Sequence, residues 1–313
     1  MKLITTPVLA ADTQSEDDII LEQKSNGKQL QRRFKIAKKL SDDRLCQRYY
    51  AINEIANKPC ELHLWLHENS LNPKFWNNFV DVQRLSNSLD LENVQSFYGS
   101  GLSEKGQRFS VHSVAQGTYL EEESLHALPE PRKLSLLTTL ADSLAKMHGE
   151  GFFHGQLTPT RIVAQFRGEE DQLPLCIIHS QAGIVLPVPL NESKNTIVNL
   201  TDLSYFAPEL WDGQSSTQAA DVYSLSVLAL ETLVGAKAIY GGTLEELLVR
   251  KNRMDLSVQL SQIRTNFTAG LSEALAIGLS ASPNDRKVTI AKIGRALRQA
   301  SAQNDNHTAP LCM

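Results

Sequence analysis

Apolar and polar residues alternate in short runs through the first third of the chain. Phe34–Leu40, Tyr49–Ile55 and Cys60–Leu66 are short strand-like runs separated by polar turns, of which Asn57-Lys58-Pro59 supplies one. Asn72-Pro73 then opens a segment from Lys74 to Ser86 in which Phe75, Phe79, Val82 and Leu85 recur at helical spacing. Two further strand-like runs follow, Val94–Tyr98 and Phe109–Val114, with Gly99, Gly101 and Gly106 between them. Strands, one helix and more strands predict a small sheet-based unit carrying a single helix.

Beyond Gly117 the period becomes that of helices. Pro129–Gly149 carries the stripe Leu137, Leu140, Leu144 and Met147, while Ala219–Gly235 is apolar on nearly every side, as a helix buried in a core must be. Leu244–Arg250, Leu271–Leu279 and Thr289–Ala300 complete a helical second half. The expected division is a flexible N-terminal arm over 1–31, a first lobe over 32–116, a second over 117–300 and a flexible tail over 301–313.

Composition narrows the chemistry. Lys+Arg 31 against Asp+Glu 35 leaves a net charge of -4, which argues against a nucleic-acid partner. The basic cluster Arg32, Arg33, Lys35, Lys38 and Lys39 alternates with Phe34, Ile36 and Leu40, the mark of a solvated strand face. Cys46, Cys60, Cys176 and Cys312 are scattered without metal-ligand spacing and read as reduced thiols, which sets the expected compartment as the cytoplasm. No apolar run has the length of a membrane span, and Met1–Ala11 lacks the layout of a cleaved signal.

The richest stretch is Phe152-Phe153-His154-Gly155-Gln156-Leu157-Thr158-Pro159-Thr160-Arg161-Ile162-Val163, a Pro-containing turn between a long helix and an apolar strand. It resembles the catalytic loop of eukaryotic-type Ser/Thr protein kinases, His-Arg-Asp-Leu-x-x-x-Asn. Three later signals fall in the family's order. Tyr205-Phe206-Ala207-Pro208-Glu209 resembles the Ala-Pro-Glu motif. Asp221-Val222-Tyr223-Ser224-Leu225 resembles the start of the buried helix whose Asp anchors the loop. Ser282-Pro283-Asn284-Asp285-Arg286 resembles the segment whose Arg pairs with the Ala-Pro-Glu carboxylate. The resemblance spans about Arg33 to Ala300 and implies an α+β, bilobal protein-kinase-like fold: a small β-rich N-lobe with one helix and a larger helical C-lobe. It also implies structural roles for His154, Glu209, Asp221 and Arg286.

The same resemblance implies a nucleotide and metal site whose residues have changed. The Gly-rich loop matches Leu40–Tyr49, with Ser41, Asp43 and Cys46 in place of glycines and Arg48 where a small apolar residue roofs the adenine. Val-Ala-Ile-Lys matches Cys60-Glu61-Leu62-His63, so Glu61 stands for the pocket Ala and His63 for the phosphate-binding Lys. The helix Glu that pairs that Lys falls at Val82, or at Asp81 if the register slips by one. Gln156 replaces the base Asp, Thr158 the neighbouring Lys and Arg161 the metal-binding Asn, while Gln181 of Gln181-Ala182-Gly183 replaces the Asp of Asp-Phe-Gly. Phosphoryl transfer rests on these groups, and losing one such electrostatic group typically costs ~10²–10³ in rate.

The reading that follows is a degenerate pseudokinase, with no cofactor and no binding of ATP or Mg²⁺, acting in signalling as a scaffold or allosteric regulator of an unknown protein partner. The alternative is an enzyme that has repurposed the cleft for another transfer or another small ligand, motivated by Glu61, His63, Gln156, Arg161 and Gln181 converging there. Glu61 beside Arg48 or Arg161 is a candidate plug for the same gap. Candidate surfaces are Glu121-Glu122-Glu123 and the segment Pro187–Asn199, with Ser193, Thr196 and Thr201 as phosphorylatable residues.

Overall fold

The computed structural model describes residues 19–25, 28–42, 46–65, 73–89, 91, 93–103, 105–165, 175–177, 200–212, 214–241, 243, 245–247, 249 and 256–308. In the small lobe, β1 (Ile19–Ser25), β2 (Lys28–Asp42), β3 (Cys46–Asn53), β4 (Lys58–Trp65), β5 (Phe97–Ser103) and β6 (Arg108–His112) form a closed antiparallel barrel in the order β1-β2-β3-β4-β6-β5. β1 closes it, pairing with β2 from Ile19↔Phe34 to Ser25↔Lys28 and with β5 at Leu21↔Ser103 and Glu22↔Leu102. Of the loose arm expected over 1–31, residues 19–25 and 28–31 are therefore strand. Its polar composition hid this, because ladder hydrogen bonds join backbone groups whatever the side chains are.

Helix α1 (Pro73–Ser88) packs on the barrel through a cluster of rings. Trp65 of β4 lies 4.7 Å from Phe79 and 5.9 Å from Trp76, and Phe97 of β5 lies 6.4 Å from Phe79. The buried face is Trp76, Phe79, Val80, Gln83 and Ser86. The expected stripe was rotated from it: Phe79 is buried, but Leu85 is 54% exposed. Strand β5 also differs from the expected Val94–Tyr98. It starts at Phe97 and runs through both glycines, with a bulge between Phe97 and Gly99, whose φ is 150°. The glycines mark a bulge rather than a break.

The larger lobe begins with β7 (Thr118–Tyr119), which pairs with β8 (Ile162–Ala164), itself paired with β9 (Leu175–Ile177). Around them pack α2 (Glu122–His126), α3 (Glu130–Gly149), α4 (Leu200–Ser204), α5 (Pro208–Trp211), α6 (Gln218–Val234), α7 (Ser257–Asn266), α8 (Ala269–Gly278) and α9 (Ile290–Thr308). The α3 stripe Leu137, Leu140, Leu144 and Met147 is fully buried, and α6 is buried on every side from Ala220 to Leu233. This is the small β-rich lobe with one helix, followed by a helical lobe, that the sequence pattern predicts.

Two boundaries move. Helix α9 continues to Thr308, so the tail expected over 301–313 is helical through its first half. Each residue added to a nucleated helix gains a backbone bond, and polar side chains do not stop it. Of Leu244–Arg250, the residues 245–247 and 249 are described and are helical.

Candidate functional site: the cleft between the lobes

The loop 152–161 is held from below by one carboxylate. Asp221, fully buried near the start of α6, accepts the backbone N–H of His154 at 2.6 Å and of Gly155 at 2.7 Å, and its Oδ2 lies 2.9 Å from His148 Nε2. Gly155 has φ 87°, and its carbonyl accepts the Ser216 hydroxyl at 3.0 Å. His154 is fully buried, and its Nδ1 accepts the Gln156 N–H at 3.3 Å. A buried carboxylate is tolerable only when its lone pairs are satisfied, and here backbone donors from the loop satisfy it. The loop cannot shift without exposing that charge.

Glu209 and Arg286 make the second anchor. Arg286 donates Nη1 to Oε1 at 2.6 Å and Nη2 to Oε2 at 2.7 Å, the two-pronged geometry that suits a guanidinium. Its other donors reach the carbonyls of Ser280, Ala219 and Ala281, and its guanidinium lies 4.9 Å over the Tyr223 ring.

Above the loop, the cleft is occupied by side chains of the chain itself. Arg48 on β3 is 2% exposed. Its Nη2 donates to the Thr160 carbonyl at 3.2 Å, and its guanidinium lies 4.9 Å over the ring of Tyr119, just past the connection between the lobes. One side chain of the small lobe thus touches both the connector strand and the loop of the large lobe. Glu61 on β4 is 1% exposed and accepts the Ala115 backbone N–H of that connector at 2.9 Å. Its other oxygen lies 3.5 Å from His63 Nε2. The His63 ring stacks on His112 at 4.2 Å with an interplanar angle of 25°, and His112 Nε2 lies 2.9 Å from the Ser110 hydroxyl, which accepts from the Trp65 indole.

Gln156, Thr158 and Arg161 are buried on the loop as well, Arg161 being the most exposed of them at 6%. The Thr158 and Thr160 hydroxyls are 2.9 Å apart, and Thr160 donates to Asp202 of α4 at 2.9 Å. Cys46 is fully buried in the ring cluster under α1. The backbone of Ser41 pairs with Arg48 across β2 and β3. Val82 is half-buried and packs against the large lobe's core, whereas Asp81 is exposed and lies 3.8 Å from Arg84. Asp43, Gln181, Ser193, Thr196 and the segment Pro187–Asn199 lie outside the described residues. Glu122 of the acidic run is engaged by Lys237 at 2.7 Å and by Tyr205 at 3.2 Å, so that residue is a structural link rather than a free acidic face.

The structure brings Arg48, Glu61 and His63 into one filled cleft, and adds Tyr119, Ala115, His112, Thr160 and Asp202, which sequence reasoning missed. Only Tyr119 carried a signal, lying two residues past Gly117 where the lobes join. The others act through a backbone group or a short polar side chain and leave no pattern. Among the described residues, no group of three or more His, Cys, Asp or Glu side chains is placed to hold a metal ion.

A closed sheet lobe with one helix, a connector and a helical lobe holding a carboxylate-anchored loop define a bilobal kinase-like fold. No family model matches the chain. Crystal structures of the Mycobacterium tuberculosis PknI kinase domain are similar, with TM-score 0.60 and 18% identity over 85% of this chain and 96% of that one. In sequence the chain is similar to the Ser/Thr protein kinase PknH of Mycobacterium bovis, 24% identical over 269 residues, 84% of this chain and 43% of the relative. It is also similar to PknE of Mycobacterium tuberculosis, 24% identical over 183 residues, 58% of this chain and 31% of the relative. The chain spans about two fifths of the length of PknH. In sequence and in fold alike, the proteins the chain is similar to are eukaryotic-type Ser/Thr protein kinases.

Proposed function

We propose that this chain is a catalytically inactive kinase-like module that works by engaging another protein, as a scaffold or allosteric regulator in signalling. One observation carries the reading: the buried Arg48 side chain spans the cleft from β3 to Tyr119 and the Thr160 carbonyl. A nucleotide base entering there must displace a charged group from both partners. The remaining positions support it. Glu61 sets a carboxylate, hydrogen-bonded to the connector, in a cleft whose usual ligand is a polyanion. His63 lacks the reach and fixed charge of a lysine, and Arg161 adds a cation where a metal ion would need an oxygen ligand. The repurposed-enzyme alternative needs polar groups turned toward open space, and Glu61, His63, Gln156 and Arg161 are each buried.

A thermal shift with ATP and Mg²⁺ tests the proposal. A ligand at 100 times its Kd that binds only the folded state adds about 2.7 kcal/mol, so true nucleotide binding raises the melting temperature measurably. The expected result is no rise with ATP and Mg²⁺ and no phosphate transfer from labelled ATP to the chain or to a generic protein substrate. A saturable rise, or transfer above background, would overturn the reading.

A further inference from the structure

A groove of about 820 Å³ opens in the small lobe between α1, β5 and the β5–β6 turn, and none of the cleft residues lines it. Its walls include Trp76, Val80, Arg84, Leu102, Gly106 and Arg108. Leu102 is 44% exposed, and the Arg108 guanidinium sits 5.1 Å over the Trp76 ring. Of its charged lining residues two are arginines and one, Asp81, is acidic; Lys105, exposed at the adjoining turn, adds a further cation. The pair Arg84–Asp81 is open, at 3.8 Å with side chains 69% and 74% exposed. Such pairs contribute little, so a better-placed carboxylate competes easily for Arg84.

The path of β1 says which chain segment meets this groove. β1 runs antiparallel to β5 with Leu21 opposite Ser103. Continuing that register upstream sets Ile19 beside the turn that contains Lys105 and Gly106. Ile19 therefore stands at the groove's edge, and the residues that precede it in sequence start there. They number 18, and extended chain of that length reaches up to roughly 60 Å, ample to cross it. Their chemistry matches in two halves: Asp12, Glu16, Asp17 and Asp18 next to the barrel, then Leu3, Ile4, Val8 and Leu9 further out.

We propose that residues 1–18 dock in cis in this groove, their carboxylates against Arg84, Lys105 and Arg108 and their apolar residues against Leu102 and the rim of Trp76. The segment then ties β1 to α1, and a competing acidic peptide with apolar anchors is the class of partner that would displace it.

Carbodiimide coupling of full-length chain carrying Arg84→Lys tests this, since it joins an amine to a carboxylate only in direct contact. An equimolar mixture of isotopically heavy and natural-abundance chains separates the sources. The expected product links position 84 to Asp12, Glu16, Asp17 or Asp18 within one isotopic chain, with a yield several-fold lower at ~1 M salt, where charges are screened beyond about 3 Å. Links between heavy and light chains would assign the groove to a second copy and overturn the proposal. Coupling of position 84 to Asp81 alone would overturn it too, and that link shows that the reagent worked.

Discussion

Arg286 and Glu209 show how far single residues of this architecture are committed. Both charges are out of water; Glu209 takes both prongs of Arg286, and Arg286 donates as well to the carbonyls of Ser280, Ala219 and Ala281. Removing one partner of a buried pair costs about 3–5 kcal/mol, whereas replacing both with apolar residues of similar volume is often close to neutral. Arg286→Ala is therefore expected to lower stability by that amount in urea denaturation, and Arg286→Met combined with Glu209→Met to recover only part of it, because the carbonyls of Ser280, Ala219 and Ala281 lose their donor in both variants. Glu231 on α6 responds to pH instead. Burial raises its carboxyl above the ordinary 4.5, while hydrogen bonds from the Tyr205 hydroxyl and the Ile239 and Ala238 amides pull it down. The folded chain thus holds this proton more tightly than the unfolded one. Its stabilising contribution is full below the unfolded pKa and is lost as pH rises through the higher folded pKa. Urea midpoints of wild type and Glu231→Gln, compared at successive pH values, should diverge against wild type as pH rises from 4.5 and then level off. A difference that does not vary with pH would show that Glu231 titrates alike in both states.

At the scale of elements, the end of α6 gives a clean case. Gly235 caps it with φ 75° and ψ 22°, donating its N–H to Glu231 O at 2.8 Å. A Cβ there would meet only the far end of Lys133, at 3.8 Å, so space is not the issue. The cost of Gly235→Ala is the left-handed backbone alone, about 1–2 kcal/mol, measurable as a lowered urea midpoint with unchanged denaturant slope. Elements of this kind were legible from the sequence: α3 and α6 from their apolar period, and β2 to β4 as strand-like runs between polar turns. What failed has physical causes. β1 is built from backbone pairing, and its short apolar start, Ile19-Ile20-Leu21, sits between an acidic run and a polar one and did not stand out. The face of α1 is chosen by rings on β4 and β5 far away in sequence, so Gln83 and Ser86 are buried while Leu85 is not. In the cleft, the residues that fill it were visible as departures from a pattern, but their partners were not. Glu61 was a candidate to pair with Arg48 or Arg161, and it meets instead a connector amide and His63.

For the whole molecule the question is which side chains couple the two lobes. Arg48 does so with a single side chain, because its guanidinium is planar and long enough to stack on Tyr119 while donating to Thr160 O. A hydrogen bond from a charged donor contributes about 1.5–3 kcal/mol, and this one is partly buried. Thr160 in turn donates to Asp202, so the connection runs from β3 through the loop to α4. Arg48→Ala should therefore speed hydrogen exchange not only along β3 but also at the loop amides, including that of Arg161, which is bonded to Thr158 O at 3.0 Å. Arg48→Lys should rescue little, since an ammonium cannot both lie flat on the Tyr119 ring and reach the carbonyl. If exchange rises in the small lobe alone, with the loop unchanged, then the lobes are held together by something other than Arg48.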